Sequence, residues 1–212
     1  GCLVLVPQLQ RFVMVWVCIK PLLNFKINMI SFEKLKLRPM RRADLRMVLD
    51  WRNSEKIRRL MLSDRIISLD EHENWYSNSI NDHSCEYLIA LYEDKPIGAV
   101  LISDIKSIDG TCTWGMYIEE KNIGLGIGVL MEISAIDRMF YTHKVRKIWG
   151  KLLSSNRILY LHKRVGFSEE GVLKKHIYRD GNFEDVILIS LFSHEWESKR
   201  ANIMKYLNLT NG

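Results

Sequence analysis

Between residues 86 and 118 the chain is a series of short apolar runs, each closed by a polar or glycine-bearing turn. Residues 86–92 and 97–105 read as strands, and Glu93-Asp94-Lys95-Pro96 between them predicts a hairpin. A third strand is predicted over residues 111–118, entered through Asp109-Gly110. The period then changes. Residues 129–140 carry a helix with a glycine-rich entrance, 147–153 a strand, and 156–165 a second helix ended by Gly166. A closing hairpin is predicted from residues 171–178 and 184–192 around Arg179-Asp180-Gly181-Asn182. Upstream, residues 32–37 alternate like an edge strand that Pro39 stops, and residues 44–51 show helical spacing through Leu45, Val48 and Leu49. Ser68-Leu69-Asp70-Glu71 has the form of a capping box, which predicts a helix from there to about residue 80. An antiparallel meander running into a strand–helix–strand crossover and a final hairpin is an α+β plan.

Domain-like patterning starts at Ser31. Residues 1–30 are expected to be an apolar N-terminal extension, residues 31–197 the domain, and residues 198–212 a helical or frayed tail. The apolar stretch after Cys2 is broken by Pro7, Gln8, Gln10 and Arg11. It falls short of the roughly 20 residues a membrane-crossing helix needs, so no stable membrane insertion is expected.

Composition narrows the picture. With 212 residues, 47% apolar and 26% charged, the chain is long enough to bury a core without disulfides. Cys2, Cys18, Cys85 and Cys112 form no CxxC pair and no Cys/His group at zinc spacing. Reduced thiols, a cytoplasmic location and no metal are the expectation. The net charge of +6 points to an anionic partner. Basic residues are interleaved with acids, and the densest group, Arg38-Pro39-Met40-Arg41-Arg42, has no aromatic neighbours to stack on bases. A phosphorylated small molecule therefore fits the charge, and nucleic acid is not expected.

The chemistry gathers at Ile123-Gly124-Leu125-Gly126-Ile127-Gly128, between a strand and a helix. Glycines there let backbone amides converge at the positive end of the helix dipole, a cradle for pyrophosphate. A Walker A loop would continue with Lys and Ser or Thr, whereas Val129 and Leu130 follow. A dinucleotide fingerprint needs G-x-G-x-x-G amid parallel strands, and here the spacing is G-x-G-x-G after a meander. A plain tight turn stays open on the loop alone.

With its flanks, the loop resembles the acetyl-CoA loop of the GNAT superfamily, whose pattern is Gln/Arg-x-x-Gly-x-Gly/Ala. Gly126 and Gly128 take the glycine positions, and Ile123 stands where the basic or amide residue would be, with Lys121 close by. The resemblance runs through Asn156, Leu161-His162-Lys163-Arg164-Val165-Gly166-Phe167 and Glu169-Glu170-Gly171-Val172-Leu173, and covers residues 31–197. It implies a GNAT fold, acetyl-CoA as co-substrate, and direct attack by an amine without a covalent enzyme intermediate. It also implies that Tyr117 and Ile118 border the thioester, and that Asn156 contacts the pantetheine arm.

The same resemblance implies that a side chain of the 156–165 helix protonates the departing thiolate. His162 occupies the position of the family's tyrosine, and Tyr160 lies two residues before it. Ile158, Leu161 and Val165 define the inward stripe, with His162 on its edge and Tyr160 on the opposite side. An imidazole with a pKa of about 6.5 suits proton transfer at neutral pH. Both candidates stay open, and Glu73, Glu86 and Glu119 are unranked candidates for the base.

Upstream, Trp51-Arg52-Asn53, then Arg58 in a basic Met-containing segment, then Glu71-His72-Glu73-Asn74-Trp75 offer indoles beside guanidinium groups. Such a set suits a base and its phosphates. These segments, with Trp114-Gly115-Met116-Tyr117-Ile118, resemble the pseudaminic acid biosynthesis UDP-4-amino-4,6-dideoxy-N-acetyl-β-L-altrosamine N-acetyltransferases, which serve flagellin glycosylation. That resemblance implies a UDP-linked amino sugar as acceptor, with Trp51, Arg52, Asn53, Arg58, His72 and Trp75 holding it. The alternatives are a protein or peptide acetyltransferase of the ribosomal-protein alanine type, a silent acyl-CoA-binding module, and a basic nucleic-acid-binding protein. A homodimer stays open.

Overall fold

The alternation along residues 86–105 appears as burial on two faces of one sheet. Leu88 and Ala90 join the larger apolar core while Ile89 between them joins a second one, and Val100 and Ala99 divide in the same way. The computed structural model describes residues 31–106, 108–119 and 126–207. Within them the chain runs β1 (Leu35–Pro39), α1 (Leu45–Asn53), α2 (Glu55–Arg58), α3 (Leu69–Ser79), β2 (Glu86–Tyr92), β3 (Lys95–Lys106) and β4 (Thr111–Ile118). It continues with α4 (Ile127–Asp137), a π-turn (Arg138–Thr142), β5 (Lys147–Leu153), α5 (Ile158–Val165), β6 (Ser168–Arg179), β7 (Asn182–Phe192) and α6 (Ser193–Tyr206). The sheet order is β1-β2-β3-β4-β5-β7-β6, antiparallel throughout except between β4 and β5.

Strands β2, β4 and β5 fall on the predicted limits, and both hairpin turns are tighter than expected. Glu93 and Asp94 have φ of 50° and 61°, so two residues turn the chain and Lys95 and Pro96 already belong to β3. Asp180 and Gly181, at φ 48° and 82°, do the same between β6 and β7. The first strand starts at Leu35, not residue 32, because Lys34 N–H donates to the Ser31 carbonyl at 3.3 Å in a 3-10 turn. Pro39 is the last residue of β1, at the sheet edge where proline is tolerated. Ser68 caps α3 as predicted, its hydroxyl accepting from Glu71 N–H at 3.2 Å.

Helix α4 buries Ile127, Leu130, Met131, Ile133, Ala135 and Ile136, so it is a core helix with almost no polar face. Helix α6 crosses the boundary expected at residue 197: Trp196 is fully buried and Met204 nearly so. The Trp196 indole N–H donates to Asp137 Oδ1 at 2.7 Å, tying α6 to the end of α4. Trp196→Ala should lower unfolding free energy by about 3–5 kcal/mol through the cavity it leaves. Urea denaturation checks this, and an unchanged midpoint would contradict it. Residues 1–30 and 208–212, which include the expected extension and the end of the expected tail, lie outside the described residues. Among the described residues no helix is long and apolar enough to cross a membrane.

Candidate active site

Strands β4 and β5 start side by side and then part. Their parallel pairing comprises Thr111↔Lys147, Cys112↔Ile148 and Thr113↔Trp149. Beyond it β4 stays paired with β3 as far as Ile118, and β5 with β7 as far as Leu153. Trp114–Ile118 therefore turns one main-chain edge into a widening gap, which becomes a cleft of about 560 Å³. An extended molecule with amide groups can pair with such an edge as an added strand would.

The N-terminus of α4 opens at the same place. Gly126 caps it in the left-handed region at φ 105°, and Gly128, within the first turn, lines the cleft. A Cβ on Gly128 would stand 3.5 Å from Ile118 Cδ1, an ordinary contact, so packing of the protein against itself does not require glycine there. The missing side chain instead leaves the amides of this turn open to the cleft. The residues present thus fit an anionic, pyrophosphate-bearing co-substrate. Ile123, Gly124 and Leu125 lie outside the described residues.

Of the remaining predicted cofactor residues, Tyr117, Ile118 and Asn156 line the cleft, and Ile127 is buried in the core below it. Asn156 Oδ1 accepts from Ile158 N–H at 3.1 Å, which delays the start of α5 by two residues relative to the sequence expectation. Its Nδ2 reaches the Leu60 carbonyl at 3.4 Å on the opposite wall.

His162 and Tyr160 separate cleanly. His162 is 7% exposed and borders the cleft, with its ring edge-on to Trp114 at 5.4 Å between centroids. Tyr160 is 72% exposed on the outer face of α5, about 200° around the helix from His162, and does not reach the cleft. His162 Nδ1 lies 2.5 Å from Oε1 of Glu132, a carboxylate buried inside α4 that the sequence reading passed over. An acid in the middle of a helix of mostly apolar residues was the available signal. Trp114 itself lies flat against Phe167, at 4.5 Å and 13°, and crosses Gly150 so closely that a Cβ there would meet its ring at 2.8 Å.

The acceptor candidates mostly do other work. Arg52 lines the cleft: its Nη2 donates to the Ser63 carbonyl at 2.8 Å, while Nη1 is buried with no protein partner. Burial first, then nearby Arg65 and Arg58, draw this guanidinium below its ordinary range, opposed by Tyr117. Trp51 packs on the second core with Val48, Ile89 and Ala99. Asn53 brackets Ile67, donating to its carbonyl at 2.8 Å and accepting from its N–H at 2.9 Å. Arg58 donates to the Asp64 carbonyl at 2.5 Å. His72 is buried and stacked on Trp75 at 5.0 Å, with burial lowering its pKa, and Trp75 meets Tyr87 edge-on. So Trp51, Asn53, Arg58, His72 and Trp75 do not line the cleft; they build and hold the elements beside it.

Three of these contacts serve one purpose. Residues 60–63 form a wall of the cleft, and Arg52, Asn53 and Arg58 secure the segment from 63 to 67. Arg179, at the end of β6, completes the clamp by donating to the Arg59 and Met61 carbonyls at 2.8 and 2.7 Å. Among the described residues, the charged ones lining the cleft are Arg52, Lys56 and Lys151, all cationic, and none of the lining residues is Asp or Glu. Lys56 Nζ donates to the carbonyls of Ile118 and Glu119, both at 3.2 Å. Among the proposed bases, Glu86 is tied to Arg138 and, at 2.8 Å, to His143, away from the cleft. Glu73 faces Arg42 on the surface. Glu119 sits at the end of β4 beside Ser54 and Lys56.

Comparison with known proteins agrees with this geometry. A family profile described as the Acetyltransferase (GNAT) domain matches residues 34–168. The spermidine N(1)-acetyltransferase of Vibrio cholerae is 26% identical over 156 residues, 73% of this chain and 90% of that protein. The enzyme of the same name from Escherichia coli K12 is 23% identical over 169 residues, 79% and 91% of the two chains. The Vibrio cholerae spermidine N-acetyltransferase structure with CoA and spermine superposes with a TM-score of 0.74 at 24% identity, covering 78% of this chain and 99% of that one. These relatives are named for polyamines, so the resemblance to sugar-nucleotide acetyltransferases finds no counterpart among them. With the family profile spanning the parting strands, the glycine-lined helix entrance and the His162 helix, the chain belongs to the GNAT family and is an acetyl-CoA-dependent N-acetyltransferase.

Proposed function

We propose that this enzyme acetylates an amine on an anionic acceptor, specifically the 4-amino group of a UDP-linked amino-deoxy sugar of the pseudaminic acid pathway. The observation that carries this reading is the sign of the cleft. Among the described residues its charged lining is wholly cationic, and Arg52 keeps a buried guanidinium nitrogen with no partner among them. A guanidinium so placed suits a phosphate oxygen. A polyamine, by contrast, would bring several positive charges to Arg52, Lys56 and Lys151, with no carboxylate among the described lining residues to receive them. Acetyl-CoA is the acetyl donor: β4's open edge holds its amide-bearing arm, the first turn of α4 its pyrophosphate, and His162 handles the proton. Free thiols such as those of Cys85 and Cys112 support a cytoplasmic location.

Polyamine acetylation is the second reading, favoured by the names of relatives at 23–26% identity. A thiol-release assay over a panel of UDP-4-amino sugars, spermidine and a ribosomal N-terminal peptide separates the readings. At least a tenfold higher kcat/KM is expected for one of the sugars. Preference for spermidine or for the peptide would refute the sugar assignment.

A further inference from the structure

We propose that Glu132 is a positioning residue that fixes the tautomer of His162 and makes this histidine a two-way proton carrier for acetyl transfer. The inference rests on acetyl transfer taking place in this cleft, and is independent of which amine accepts the acetyl group.

Glu132 projects from α4, the helix whose first turn lines the cleft, and is fully buried among Leu130, Met131, Ile133 and Ile136. A carboxylate in such surroundings is costly unless it is engaged. Its Oε1 is 2.5 Å from His162 Nδ1, and its Oε2 has no protein partner. The pair spans two helices and thirty residues of sequence, so neither helix places it alone.

An ionised carboxylate can only accept, so Nδ1 carries the hydrogen in this contact. In neutral His162 the lone pair is therefore on Nε2, the nitrogen left for the cleft. Trp114 and Phe167, stacked on each other and both edge-on to His162 at 5.4 and 5.7 Å, support the ring from one side.

A histidine oriented in this way takes a proton before it gives one. Nε2 accepts the proton released by the acceptor nitrogen as the C–N bond forms. The resulting imidazolium is stabilised by the Glu132 carboxylate, then delivers the same proton to the sulfur as the C–S bond breaks. His162 and Glu132 end the cycle as they began it, and no separate carboxylate base is needed. The positions of Glu73 and Glu86, away from the cleft, accord with this.

Two measurements test it. Nitrogen-15 NMR of the imidazole in the wild-type chain, without either substrate, should show His162 protonated at Nδ1. Replacing the carboxylate in Glu132→Gln gives an amide that can donate as well as accept, so the Nδ1–H form should lose its predominance. That variant should lower kcat by about 100-fold with the KM for acetyl-CoA unchanged. In a His162→Phe background the same substitution should cause no further loss. An Nε2-protonated wild-type ring would overturn the proposal. So would an unaltered kcat in Glu132→Gln, or an equal loss in the His162→Phe background. The wild-type spectrum decides even where a variant does not fold, and an inert sugar panel would refute the acceptor assignment while leaving the tautomer result standing.

Discussion

Exchanging His162 for alanine should lower kcat by roughly 10²–10⁴-fold while acetyl-CoA binds as before. The imidazole borders the cleft, and what the exchange removes is proton transfer. Calorimetric titration of acetyl-CoA should give the same affinity for both proteins, and stopped thiol-release assays should show the loss. Tyr160→Phe, measured alongside, should change neither quantity, because that side chain lies on the solvent face of α5. A kcat that survives in His162→Ala would move the proton chemistry to another group.

The other large effect belongs to the helix entrance. Gly126→Glu should weaken acetyl-CoA binding by at least about 100-fold, and it acts twice. A side chain at φ 105° strains the cap, at a cost of about 1–2 kcal/mol for left-handed backbone. The added carboxylate also brings negative charge to the end of a helix that favours anions. Gly126→Ala has only the first of these effects and should lose less. Equal affinities in wild type and Gly126→Glu, read by calorimetry, would take the pyrophosphate away from this turn.

Local chemistry explains what was legible beforehand. Strands β2, β4 and β5 were readable because turn residues bound each apolar run, and the cradle because glycines cluster before an apolar helix. The wall opposite was not readable. Residues 59–62 owe their path to Arg179, about 120 residues away in sequence, and nothing in the local pattern announces that contact. Trp51, His72 and Trp75 misled for a related reason. Aromatic rings near arginines look like a stacking platform in sequence, yet these rings are spent on the second core and on one another. Glu132, an acid in the middle of a mostly apolar helix, became meaningful only when α5 delivered His162 to it.

The parting of β4 from β5 has one more consequence. A donor held along Trp114–Ile118 is gripped by peptide groups, which every residue type supplies alike, so substitutions along this strand leave the grip intact. Under the proposed function acceptor choice resides elsewhere, in side chains such as Arg52 and in a wall pinned from a distance by Arg179. The two halves of the active site can therefore drift separately over evolutionary time. A lineage could exchange one kind of amine for another while its handling of the acyl carrier stayed unchanged.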